Sequence, residues 1–137
     1  MIENRCHLFV YGTLKPGERA FAQLCQPFVV ATQVAQTQGR LYHLPLGYPA
    51  MTPEAGWVQG VLLTFANADG LSQIDAFEEY YPDRPHESEY QRRLHPIYDV
   101  NQRPLVSAWI YTMALEHVVA LEGQWLPHGY WSEAQAL

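Results

Sequence analysis

The chain has 137 residues, 48% hydrophobic and 16% charged, with a formal net charge of -6. This length suits one domain with a real core and not two, so a single domain spanning 1–137 is expected. The acidic balance disfavours attraction to phosphate backbones, so nucleic acid is not an expected partner. The opening "MIENRCHLFV" carries an early acid and lacks the apolar core of a signal peptide, and no apolar run is long enough to span a bilayer. No membrane partner is expected, and the cytoplasm is the default location.

The first predicted strand, 6–11, ends where Leu8-Phe9-Val10-Tyr11 gives way to Gly12, a residue that tolerates close backbone approach. Lys15-Pro16-Gly17 then reads as a turn. "ERAFAQLCQ" predicts a helix over 18–26, and strands are predicted at 28–34, 39–43 and 57–65. "DGLSQIDAFEEY" predicts a second helix over 69–80, with Asn67 or Asp69 as its cap and Leu71, Ile74 and Phe77 as its apolar stripe. Asp75 and Glu79 are expected nearer solvent. Strands at 90–98 and 105–113 pair as a hairpin through Asp99 to Gln102, with Pro104 closing it. In "LEHVVALEGQWLPHGYW" a short helical period gives way to loop at Pro127 and Gly129. No internal repeat or low-complexity tract interrupts this order.

Glu78 departs most from a plain structural reading. It follows Ile74 by four residues and Leu71 by seven, which turns it toward the apolar stripe, and it stands near a helix C-terminus, where an acid opposes the dipole. Both effects raise its pKa toward the range useful in proton transfer; the alternative is an ion pair with Arg92 or Arg93. The Tyr11-Gly12-Thr13-Leu14 strand end could aim backbone N–H groups at a carboxylate or oxyanion, but it lacks the spacing of a phosphate loop. The histidines at 7, 43, 86, 95, 117 and 128 form no ligand spacing, and no metal is expected. Cys6 and Cys25 are read as reduced thiols, with Cys25 a small hydrophobe on its helix face.

"FVYGTLKPG", "GRLYHLPLGYPAM", "VQGVLLTF" leading to "IDAFEEY", "YQRR", "AWIYTM" and "EGQW" together, in this order, resemble the gamma-glutamylcyclotransferase-like family, which includes the gamma-glutamylamine cyclotransferases. The resemblance implies an α+β fold, a small mixed β-barrel with a few packed helices. It implies Glu78 as catalytic acid-base and Tyr11, Gly12, Thr13 and Leu14 as substrate-binding residues, with Tyr90 near the pocket. The implied reaction cyclises a gamma-glutamyl amide to 5-oxoproline and expels an amine or amino acid. The nucleophile belongs to the substrate, so the implied chemistry needs no cofactor. The insertion over 82–89 is expected to form a lid or reshape the leaving-group side. A non-catalytic module that binds small molecules in the same pocket is the competing reading, and the sequence specifies no oligomeric state.

Overall fold

The computed structural model describes residues 5–81, 83 and 88–132. Six strands form one mixed sheet in the order β3-β1-β5-β4-β2-β6, and a further pairing of β2 with β3 makes the strand order run in a ring. β1 (Cys6–Val10) lies between β3 (Pro49–Phe65), to which it is antiparallel, and β5 (Pro104–Thr112), to which it is parallel. Leu8, Phe9 and Val10 are almost wholly shielded from solvent, as a strand flanked on both sides requires. The α+β class expected from the sequence holds.

The structure changes several element boundaries. The expected strands at 28–34 and 39–43 are parts of one strand, β2 (Val29–His43), with a register shift between Gln38 and Arg40 against β3. The polar run Ala35-Gln36-Thr37-Gln38 gave no strand signal, yet Ala35, Gln36 and Thr37 are buried. There the amide of Gln36 donates to the Asp99 carbonyl and the Thr37 hydroxyl to the Pro96 carbonyl, so these neighbouring side chains, on opposite faces of the strand, are buried without loss of hydrogen bonds. β3 likewise starts at Pro49, well before the expected 57. β4 (Gln91–Tyr98) and β5 form the expected hairpin, closed by the Asp99 N–H donating to the Arg103 carbonyl. α2 (Leu115–Ala120) matches the helical period at that point, and a two-residue β6 (Gln124–Trp125) follows it.

Both expected helices are shorter than their patterns. Over 18–26 only one π-helical turn forms, Phe21–Cys25, closed by the Gln26 N–H on the Phe21 carbonyl. α1 spans Leu71–Phe77 in place of 69–80. Neither Asn67 nor Asp69 caps it: Gly70 is the N-cap, and the Asn67 side chain accepts from the Asp69 N–H in the preceding turn. Among the described residues no helix is long and apolar enough to cross a membrane.

Candidate active site

The site begins where β1 ends. Tyr11 is buried, and its hydroxyl is committed to the scaffold: it donates to the Tyr111 carbonyl at 2.5 Å and accepts from the Met51 N–H at 3.3 Å. Gly12 has no room for a side chain, since a Cβ there would stand 2.6 Å from Cγ of Pro49. The chain then folds into a tight loop: the Lys15 N–H donates to the Gly12 carbonyl and the Ala20 N–H to the Thr13 carbonyl. The carbonyls of Gly12 and Thr13 are thus engaged, while the N–H groups of Gly12, Thr13 and Leu14 donate to no acceptor among the described residues. Three consecutive uncommitted donors beside a cavity form a natural anion cradle.

The opposite wall comes from the C-terminal end of α1. Glu79 takes a left-handed backbone conformation (φ 52°), the Glu79 N–H donates to the Ala76 carbonyl and the Tyr80 N–H to the Asp75 carbonyl. This is a Schellman closure with a glutamate where glycine is usual. By ending the helix at Phe77 it makes Glu78 the C-cap, and Glu78 lines the cavity with Phe77 and Glu79. No hydrogen bond or ion pair from a described residue reaches the Glu78 carboxylate. Burial, and secondarily the charge of Glu89, push its pKa up to about 8.

Of the two expected alternative partners of Glu78, Arg92 is engaged elsewhere and Arg93 does not line the cavity. Arg92 pairs with Asp75 (Nη1 to Oδ2, 3.3 Å) and stacks over Trp109, 4.8 Å from the ring centroid. Asp75, expected near solvent, is buried, and it also accepts a 2.6 Å hydrogen bond from the Tyr111 hydroxyl. The reason lies in the helical period: Asp75 follows Leu71 by four residues and so shares its inward face. Phe77, assigned to the stripe, is 43% exposed because the helix ends there, and it borders the cavity instead of the core. Glu79 is exposed as expected but also borders the cavity, beside Glu89.

The cavity between these walls has a volume of about 260 Å³. The candidate residues Tyr11, Gly12, Thr13, Leu14, Glu78 and Tyr90 all line it. Sequence reasoning missed Tyr48, Pro49, Glu89 and Tyr111, which reach the cavity from β3, from β5 and from the loops before β3 and β4. The Tyr90 hydroxyl donates to the Pro49 carbonyl at 2.7 Å, which fixes its ring as a wall, and burial raises its pKa further than any charge does. The Tyr48 hydroxyl donates to Oε1 of Glu89 at 2.6 Å. Burial, then a hydrogen bond with Glu79, raises the Glu89 pKa. Cys25 is fully buried behind this site; burial and the Glu78 charge push its thiol up to about 12, which leaves it un-ionised and a poor nucleophile. Both cysteines are free thiols. Among the described residues no cluster of three His, Cys, Asp or Glu side chains could hold a metal ion. Of the 82–89 insertion, residues 82 and 84–87 lie outside the described residues, as does His86.

A largely apolar cavity with a desolvated carboxylate on one wall and uncommitted backbone donors on the other defines a small-molecule site. The chain belongs to the family described as gamma-glutamyl cyclotransferase, AIG2-like, whose model matches residues 8–133. No curated protein matches the chain. Among solved structures it is similar to YkqA from Bacillus subtilis, with 23% identity and a TM-score of 0.66 over 96% of this chain and 41% of that one. The chain therefore spans less than half the length of the Bacillus protein. It is also similar to an aig2-like protein from Mus musculus (20% identity, TM-score 0.67, 94% of this chain and 89% of that one). A structure described as gamma-glutamyl cyclotransferase aligns with 15% identity and a TM-score of 0.55, over 80% of this chain and 67% of that one. At these identities the likenesses establish a common fold.

Proposed function

We propose that this protein is a gamma-glutamyl cyclotransferase: it cyclises a gamma-glutamyl amide to 5-oxoproline and releases the amine. The observation that carries this reading is the Glu78 carboxylate, desolvated and with no partner among the described residues, in a site that also contains the Gly12–Leu14 donors. Family membership supports it.

In the proposed reaction the substrate's alpha-nitrogen attacks its own side-chain amide carbon, a carbon–nitrogen bond forms, and the carbonyl oxygen becomes an oxyanion. Glu78 takes a proton from the attacking nitrogen and returns it to the leaving nitrogen as the old carbon–nitrogen bond breaks. The proton count closes with one carboxylate, which ends as it began. A pKa of about 8 suits both halves of the shuttle near neutral pH, since donor and acceptor forms are then both accessible. The N–H groups of Gly12 to Leu14 hold the oxyanion or the substrate carboxylate; one oxyanion donor is typically worth about 3 kcal/mol of barrier. The buried walls Tyr11, Tyr90 and Tyr111 bring the ends of the glutamyl chain together by shape, which lowers the entropic part of the barrier to ring closure.

The test is a panel of gamma-glutamyl dipeptides, gamma-glutamyl amines and glutathione, with 5-oxoproline read by mass spectrometry. Release from at least one class supports the reading and names the leaving group. Binding of panel compounds to the cavity with no release from any of them would favour the non-catalytic module.

A further inference from the structure

We propose that Lys15 is a positioning residue for the anion-binding loop, locking Gly12–Leu14 to the C-terminal segment; this rests on the role given to that loop above. Lys15 follows the three candidate donors directly, does not line the cavity, and is almost completely buried, at 5% exposure. Its backbone N–H closes the loop on the Gly12 carbonyl. Its side chain runs the other way: Nζ donates to the Trp131 carbonyl and stands 4.0 Å from the centroid of the Tyr130 ring.

The segment that receives it is itself anchored. Trp131 is buried, and its indole N–H donates to Nδ1 of His43 on β2 at 3.0 Å, with the two rings stacked 6.5 Å apart. Two residues earlier, the Gly129 carbonyl accepts from the Gln59 N–H on β3 at 2.7 Å. One lysine thus ties the loop that follows β1 to a strap held by β2 and β3.

Burial lowers the Lys15 pKa, an effect only partly countered by Glu18, so the ammonium is held here at an energetic cost. An apolar side chain of similar volume is often neutral or stabilising at such a position. The carbonyl and the ring face impose a direction that methionine would not, and that direction keeps the loop donors in register with the opposite wall.

The experiment uses Lys15→Met and Tyr130→Leu, the second as safeguard because Tyr130 is 44% exposed and its loss leaves the core intact. Amide hydrogen exchange at Ala20, which bonds the Thr13 carbonyl, reports loop closure; exchange at Leu63 on β3 reports the core. In both variants Ala20 exchange should rise by about tenfold or more with Leu63 unchanged. With a substrate from the panel, kcat/KM should fall by about tenfold or more, through kcat where the loop holds the oxyanion and through KM where it holds the substrate carboxylate, while the pH profile keeps its position. Unchanged Ala20 exchange in both variants, or a rise shared equally by Leu63, would overturn the proposal. If the wild type converts no panel compound, the proposed reaction fails while the exchange comparison still decides the role of Lys15.

Discussion

Replacing Glu78 by Gln should change how stability depends on pH, and the size of the change follows from where the carboxylate sits. An unfolded chain leaves this acid near 4.5, whereas the folded site raises it to about 8. The folded state therefore binds the proton more tightly. Its contribution to stability is fully present below about pH 4.5, declines as the pH rises, and is lost above about 8. At about 1.4 kcal/mol per tenfold the full span is worth roughly 5 kcal/mol, an upper figure for a carboxylate bordering an open cavity. Glu78→Gln removes the linkage and keeps the shape. Urea unfolding of both proteins at pH 5 and pH 9 gives the difference directly, and the other shifted groups, common to both proteins, largely cancel. The variant should gain about 2–5 kcal/mol relative to wild type between the two pH values. Parallel behaviour across that range would show that Glu78 ionises as an ordinary surface acid and would remove the physical basis for its role.

Asp75→Asn should cost about 3 kcal/mol, since it leaves Arg92 buried without its counter-charge and weakens the Tyr111 hydrogen bond; unfolding midpoints in urea measure this. Cys25→Ala should keep turnover within about threefold while losing about 1–2 kcal/mol of packing, and a loss of turnover without unfolding would return Cys25 to consideration as a nucleophile. Glu79→Gly should stabilise by about 1 kcal/mol, because glycine relieves the left-handed strain at the helix end; thermal melting should move up by roughly 4 °C.

What the sequence revealed and what it hid follow from the range of the interactions. The strand ending at Gly12 was legible because β1 is short, flanked by strands on both sides and, apart from His7, apolar, and Glu78 because its spacing from Leu71 and Ile74 is local. The same spacing places Asp75 four residues after Leu71, so its burial was readable by the rule that singled out Glu78, had polarity not outweighed position. The end of α1 was not readable: a Schellman closure usually announces itself with glycine, and here the left-handed residue is Glu79. The middle of β2 was hidden because its buried polar side chains are satisfied by Pro96 and Asp99, some sixty residues away. Tyr111 on β5, and Tyr48 and Glu89 on the loops before β3 and β4, are brought to the cavity by the long-range arrangement of the sheet, which no local pattern encodes.

The most direct test of the account is to mix wild type and Glu78→Gln separately with a substrate that the panel identifies, and to follow 5-oxoproline and free amine by mass spectrometry while calorimetry follows binding. The account predicts equal release of both products by the wild type, and a variant that binds the substrate with little change in affinity and releases neither product. Turnover by Glu78→Gln at a rate near that of wild type would contradict it.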